Sequence, residues 1–317
     1  MREETSLAMT HPQTAAVEAR GLTKKYGTFE AVRGIDFRIA PRECFGFLGV
    51  NGAGKTSTMK MIYCRTTKSS GTLDVLGMDA ATHPQTIKRR IGVVTQESAL
   101  DPELTVEENV LLYAAFFGIR GSAARAKCDA LLRTMNLESK ARARIAELSG
   151  GMKRRLAIAR GLVNDPEMMV LDEPTTGLDP QARLLMWELL LGLRERGITL
   201  ILTTHYMEEA ARLCDRLVIM DEGKILAAGT PRELIERFAA ADVLEVMGID
   251  PDSAGGPFDG LIRRRERHGE TIYLYNDDNR VLLRRLAELG VEAPRHVARP
   301  ATLEDVFLNL TGRELEE

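Results

Sequence analysis

The sequence is poor in cysteine, and its four, Cys44, Cys64, Cys128 and Cys214, are scattered. No Cys-x-x-Cys pair occurs and no histidine stands at metal-ligand spacing, which argues against a zinc module or a disulfide framework. They read as reduced, mostly buried thiols of a cytosolic protein. No apolar run approaches the ~18 residues that a membrane-spanning helix needs. An excess of either charge is missing too: the formal net charge of −3 gives no case for nucleic acid or an acidic membrane surface. Residues 1–16 mix Arg, Glu, Thr, His and Pro without an apolar stretch, which predicts a disordered leader rather than a signal peptide. What is present, 44% apolar and 28% charged residues in a chain of 317, predicts a real core. The length allows two domains, or one large domain with an appendage.

The rest of the chain is organised around Gly49-Val50-Asn51-Gly52-Ala53-Gly54-Lys55-Thr56, followed by Ser57. An apolar run, Cys44 to Leu48, precedes it as a buried strand, and Met59 to Ile62 can continue it as a helix. Glycines at 49, 52 and 54 let the backbone curl so that successive N–H groups face one concavity at a helix N-terminus. Such a concavity binds phosphate. Lys55 would reach the β- and γ-phosphates, and the Thr56 hydroxyl would bind Mg²⁺. At ordinary residue frequencies a chance match in a chain this long is roughly one in a hundred. The flanking strand and helix lower that further.

Val17 to Leu22 and Ala31 to Ile39 alternate apolar with polar and predict antiparallel strands. Tyr26, between them, reads as a core aromatic or, lying shortly before the glycine loop, as a stacking surface for a flat base. After a short strand near Gly71 to Gly77, the β-branched run Arg90 to Thr95 ends in Gln96. Ligands of parallel α/β sheets sit just outside the carboxyl ends of the strands, which makes Gln96 a candidate.

From about Leu100 the strand pattern stops. Thr105-Val106-Glu107-Glu108 is a capping box that opens a helix, Gly118 to Ser122 breaks it, and Leu131, Leu132 and Met135 mark a second. This helical insertion, about 100–160, contains Leu148-Ser149-Gly150-Gly151-Met152-Lys153-Arg154-Arg155. Ser149 suits an N-cap, and Gly150 and Gly151 would leave helix amides bare for a second anion, though an ordinary glycine turn fits as well.

Met168 to Leu171 then reads as a strand buried on both faces, with Asp172 and Glu173 at its exposed end. Asp172 suits a Mg²⁺ held through water, and Glu173 suits a group that polarises an attacking water. A turn at Thr176 to Pro180, a helix from Ala182 to Leu193 and a buried strand from Gly197 follow, the strand ending in His205. Leu217 to Ile225 predicts a final hairpin. Beyond Phe238 the character changes: a Gly/Pro/Asp-rich loop at 250–260, a strand at 271–275, a helix from Val281 stopped by Gly290, and a tail helix. That tail helix is capped by Thr302 and stopped by Gly312.

In this order the motifs resemble the ATP-binding cassette (ABC) family: the glycine loop, Gln96, Leu148-Ser149-Gly150-Gly151, Asp172-Glu173, Asp179 and His205. The resemblance covers roughly residues 17–235. It implies ATP and Mg²⁺ as ligands, Tyr26 stacked on adenine, and Gln96 touching Mg²⁺ and the attacking water. It further implies Glu173 as base or water-positioning group, His205 on the γ-phosphate, and Asp179 in the loop joining two subunits' sites. Asn51, Gly52, Ala53, Gly54, Lys55, Thr56 and Ser57 belong to the phosphate cradle. Ser149, Gly150 and Gly151 would act on ATP held by a second copy. One glycine loop and one signature without an internal repeat therefore imply an ATP-sandwich homodimer.

Two departures stand out. Met152 replaces the family's usual Gln, and Val50 replaces the commoner Pro, which adds an amide to the cradle. The Met form, with Lys153-Arg154-Arg155 after it, resembles the ATP-binding subunits of type 2 exporters, including those for drug resistance and for nodulation lipo-oligosaccharides. Thr204 to Ala210 and Thr302 to Phe307 look like the same group.

The expected fold is therefore α/β: a P-loop NTPase core with an antiparallel β subdomain and a helical insertion over 17–238. A small α+β accessory domain over 239–317 follows it. The expected function is an ATPase that powers an integral-membrane permease from the cytoplasmic face, with no nucleic-acid partner. A soluble cassette ATPase of DNA repair or translation is the alternative. The short spacing between Lys55 and Ser149 leaves no room for a long coiled coil, and the chain holds a single cassette.

Overall fold

The computed structural model describes residues 15–97, 99–247, 260–288 and 295–312. The expected leader at 1–16 and the expected loop at 250–260 fall almost wholly outside the described residues, as do Leu289 and Gly290. The chain divides into two compact units, Met1–Ile225 and Leu226–Glu317.

The first unit opens with β1 (Val17–Tyr26) and β2 (Phe29–Ile39), paired antiparallel from Val17 opposite Ile39. Val17, Ala19 and Leu22 of β1 face Val32, Ile35, Phe37 and Ile39 of β2 within one core cluster. The step from Ala19 to Leu22 breaks strict alternation because the pairing bulges at Gly21, whose φ of 54° is open to glycine and whose amide donates to Asp36. After β3 (Cys44–Leu48) and α1 (Lys55–Ile62), β4 (Ser70–Val75) and β5 (Met78–Asp79) complete a four-stranded sheet ordered β2-β1-β4-β5.

Next come α2 (Pro84–Arg90), β6 (Ile91–Val94), α3 (Val106–Phe116), α4 (Gly121–Thr134), α5 (Gly150–Gly161), β7 (Met168–Asp172), α6 (Pro180–Glu195) and β8 (Thr199–Thr204). α7 (Met207–Leu213), β9 (Arg216–Asp221) and β10 (Lys224–Gly229) follow, the division between units falling inside β10. The second sheet runs β10-β9-β3-β8-β7-β6. Every residue of β3 and β7 is buried, as the unbroken apolar runs require of strands covered on both faces. Strand β3 pairs in parallel with β8 and β9, and β7 with β8 and β6. Their carboxyl ends consequently share one edge.

The two sheets are joined by rings. Phe37 of β2 meets Phe47 of β3 edge-on at 5.1 Å between centroids, and Phe45 meets Phe47 at 5.3 Å. Truncating one such buried ring costs about 3–5 kcal/mol. The insertion is helical as expected. Thr105 and Glu108 form the capping box of α3, and α4 buries Ala124, Cys128 and Leu132, a row at helical spacing.

The second unit holds α8 (Pro231–Phe238), β11 (Asp242–Met247), β12 (Ile262–His268), β13 (Thr271–Asn276), α9 (Asn279–Glu288), β14 (Arg295–Pro300) and α10 (Leu303–Thr311). Its antiparallel sheet is ordered β12-β13-β11-β14. Leu282 and Leu286 of α9 pack on Leu244, Val246, Ile272 and Leu274. Helix α10 begins in a Thr302/Asp305 capping box and ends at Gly312 in the left-handed conformation, as the tail's sequence predicts. The Asn309 amide donates to Phe238 O at 2.6 Å, fixing α10 to α8.

Candidate functional site

Parallel pairing brings four chain turns to one edge of the second sheet. The glycine loop leaves β3, Gln96 lies just past β6, Glu173 follows β7 and His205 follows β8. In the loop, Gly52 has φ 85° and Gly54 φ 100°, conformations that L side chains rarely adopt. A Cβ on Gly49 would stand 2.2 Å from Met220 O, so glycine is required there by closeness rather than by φ. Gly54 is the N-cap of α1 and offers no side chain to its amides. The first helix amides, at positions 54–57, have no intrahelical acceptor by geometry, so they are free for an anion. Lys55 is buried and its Nζ donates to Gly49 O at 2.6 Å and Val50 O at 3.0 Å. Burial pushes its ammonium below the usual lysine range, against the opposing pull of Glu173 and Asp172. A phosphate would give this cation an anionic partner in place of two carbonyls.

The carboxylates come next. Thr56 Oγ1 donates to Asp172 Oδ1 at 3.3 Å, which sets the hydroxyl and the carboxylate side by side. Among the described residues no three His, Cys, Asp or Glu side chains cluster as a metal cage. The pair nonetheless suits Mg²⁺, which is commonly held by one or two carboxylates together with substrate phosphates and water. Glu173 is 8% exposed and adopts φ 49°, a strained value for a residue with a side chain. Its Oε2 accepts from Thr176 Oγ1 at 3.1 Å and from Gln96 Nε2 at 3.4 Å. His205 Nδ1 lies 3.4 Å from Glu173 Oε1, close enough for attraction when protonated but not aligned as a hydrogen bond.

Other expected residues lie apart from this cluster. Tyr26, at the end of β1, is 44% exposed and its ring carries Lys24 Nζ 4.8 Å from the centroid. Ser149, Gly151 and Asp179 line a separate depression of about 250 Å³ with Met152 and Arg155, and no residue of the glycine loop lines it. Ser149 caps α5 by accepting from Met152 N at 3.3 Å, and Asp179 caps α6 by accepting from Ala182 N at 2.9 Å. Gly150 is exposed at the start of α5. Among the described residues, then, the depression that holds the signature residues contains none of the glycine loop.

Three residues escape a reading of the sequence. Thr203 donates to Asp172 Oδ1 at 2.5 Å and accepts from the Glu173 amide at 2.9 Å. Glu209, fully buried, accepts at Oε1 from Thr175 Oγ1 at 2.7 Å and Trp187 Nε1 at 3.3 Å. Burial pushes its carboxyl above the usual range, and the hydrogen bonds from Thr175, Thr204 and Trp187 only partly offset this. Arg154 is the third. Its place in a run of three basic residues gives no sign that its guanidinium is buried.

Residues 32–176 match the family model of ABC transporters. The Nod factor export ATP-binding protein I of Burkholderia orbicola is 47% identical over 303 residues, 96% of this chain and 99% of that protein. The chain belongs to the ABC transporter family. This ABC protein is also 47% identical over 308 residues to the Nod factor export ATP-binding protein I of Rhizobium etli, with 95% of each chain covered. Residues 252–312 match the family model of the C-terminal domain of nodulation factor export protein NodI. Among solved structures, a dimeric post-hydrolysis state of the ATP-binding cassette MJ0796 bound to ADP and Pi is similar. It is 28% identical with a TM-score of 0.62 over 68% of this chain and 98% of that one. The ABC protein is thus an ATP-binding ATPase subunit of an exporter, and the soluble repair or translation alternative is set aside.

Proposed function

We propose that two copies of this chain close on two ATP molecules, hydrolyse them, and through closing and opening drive an export permease. The observation that carries the reading is the convergence at one sheet edge of Thr56 on Asp172 and of Gln96 and His205 on the adjacent Glu173. The amides of the glycine loop bind the phosphates, and Lys55 exchanges its two carbonyl partners for the β- and γ-phosphates. Thr56, Asp172 and Gln96 would hold Mg²⁺, which supplies positive charge against the phosphate oxygens. Glu173 orients a water and takes its proton as the water oxygen bonds to the γ-phosphorus and the bond from that phosphorus to the bridging β-phosphate oxygen breaks, leaving ADP and inorganic phosphate. His205 holds the γ-phosphate, and Tyr26 stacks on adenine. Ser149, Gly150, Gly151 and Asp179 complete the site of the opposite copy. Loss of the γ-phosphate then removes the anion that joins the two copies.

The permease would meet a groove of about 440 Å³ lined by Tyr63, Val93, Thr95, Tyr113, Phe117 and Arg160. Exposed Leu112 and Phe116 of α3 extend the apolar surface available to a short cytoplasmic helix. That docking puts the chain on the cytoplasmic face of a membrane, and none of its described helices is long and apolar enough to cross one. The relatives' name points to an export system of the Nod factor class, with cargo selection left to the permease.

Glu173→Gln tests the reading. With ATP and Mg²⁺ the variant is expected to lose turnover by about 100-fold or more and to accumulate as a dimer on size exclusion. Tagged variant added to detergent-solubilised native membranes should recover a multi-span protein. Ordinary turnover would remove Glu173 from its role, and recovery of only ribosomal or DNA-associated partners would remove the permease.

A further inference from the structure

The Arg154 guanidinium lies buried between α5 and the ends of β6 and β7, and all its hydrogen bonds go to main-chain carbonyls. Nε donates to Pro174 O at 2.9 Å. Nη1 donates to Thr95 O at 2.6 Å and Gln96 O at 3.4 Å. Nη2 donates to Asp172 O at 2.6 Å and Glu173 O at 2.9 Å. A guanidinium has five N–H donors in one rigid plane, and each finds an acceptor here. An aliphatic side chain would fill the space without burying a charge. What arginine adds is a set of connections among three segments distant in sequence.

Those connections end on the two groups that matter most. The Glu173 peptide is strained at φ 49°, and it is gripped from both sides. Its amide donates to Thr203 Oγ1, and its carbonyl accepts from Arg154. The Gln96 carbonyl is held by the same guanidinium, while the Gln96 side chain points its amide at Glu173 Oε2. Helix α5, which carries Arg154, starts at Ser149 and Gly150. A push on the start of this helix therefore reaches Gln96 and Glu173 through one side chain.

We propose that Arg154 is a positioning residue: it locks Gln96 and Glu173 into one arrangement and couples both to the helix that carries Ser149. The proposal rests on the roles given above to Gln96, Glu173 and Ser149. No bond joins Arg154 to the glycine loop, so it acts on turnover and not on nucleotide capture.

The test is Arg154→Lys in the full chain, with wild type and Glu173→Gln measured alongside. A lysine keeps the charge but offers three donors from one point and cannot reach all five carbonyls. The expected result is a kcat lower by about 10- to 100-fold, with KM and nucleotide affinity unchanged. Normal kcat in Arg154→Lys beside an inactive Glu173→Gln would overturn the positioning role alone. Normal turnover in Glu173→Gln would overturn the underlying roles and the proposal together. A parallel fall in kcat, nucleotide affinity and melting temperature would reduce Arg154 to general support. Should the lysine variant not fold, hydrogen exchange on the unmodified chain decides. Segments 95–97, 150–156 and 172–176 are expected to gain protection together when ATP is added, and independent responses would overturn the coupling.

Discussion

Thr203 offers the sharpest separation of hydrogen bonding from packing at this site. It is fully buried near the end of β8. Its hydroxyl serves both acidic residues at once, donating to the Asp172 carboxylate at 2.5 Å and accepting from the Glu173 amide at 2.9 Å. Thr203→Val keeps shape and volume and removes only the hydroxyl. The Glu173 amide retains a second acceptor, Thr203 O at 3.2 Å, so most of the cost falls on Asp172. That carboxylate keeps only the longer contact from Thr56 at 3.3 Å. Loss of a hydrogen bond to a charged group costs about 1.5–3 kcal/mol. Thr203→Ser makes the opposite change: it retains the hydroxyl and deletes a buried methyl, worth about 1 kcal/mol.

Packing alone would rank valine above serine. The hydrogen-bond argument ranks serine above valine, by about 1 kcal/mol. In a unit of this size each kcal/mol moves the melting temperature by about 2–4 °C. Thermal and urea unfolding of the two variants without nucleotide should therefore give a gap of a few degrees in favour of serine. A valine variant as stable as the serine variant would refute the reasoning. It would mean that the Asp172 carboxylate finds equivalent partners without Thr203.

Two other substitutions probe groups beside the same edge. Burial raises the Glu209 carboxyl above its ordinary 4.5, so the folded chain binds this proton more readily than the unfolded chain does. Its contribution to stability is complete below about pH 4.5 and is lost as pH rises through the elevated folded value. Glu209→Gln keeps an acceptor for Thr175 and Trp187 and removes the titration. Measured by thermal melts from pH 4.5 upward, the wild type should lose stability relative to the variant, and a pH-independent difference would refute the assignment. Gly49→Ala sets a Cβ 2.2 Å from Met220 O, a main-chain atom that moves only with the end of β9. It should cost about 1–3 kcal/mol and weaken ATP binding, seen by denaturation and nucleotide titration. Gly192→Ala, where a Cβ meets open space and φ is not positive, should weaken neither stability nor ATP binding, and an equal effect of the two substitutions would contradict the close approach at Gly49.

What the sequence makes legible here is whatever local chemistry imposes. The unbroken apolar runs of β3 and β7, the glycine loop, and the caps at Thr105, Ser149 and Thr302 each declare themselves within a few residues, because burial and capping act over that range. The candidates that stand just past strand ends, Gln96, Glu173 and His205, can be grouped from the sequence because parallel strands put their carboxyl ends on one edge. Thr203, Glu209 and Arg154 are not, since their work consists of contacts across 18 to 59 residues of chain. Thr203 stands beside Thr204 in a strand where threonine needs no special reason, and Glu209 beside Glu208 on a short helix. Arg154 sits in a basic run, where the ordinary expectation is a solvated cation. Only the arrangement of β6, β7 and α5 turns it inward, onto carbonyls whose positions no local pattern encodes. The division is physical. The candidate ligand groups sit at chain turns and leave a motif, whereas groups that hold those turns in place are specified by topology. The candidate edge can thus be read before the fold is known, and its supports only afterwards.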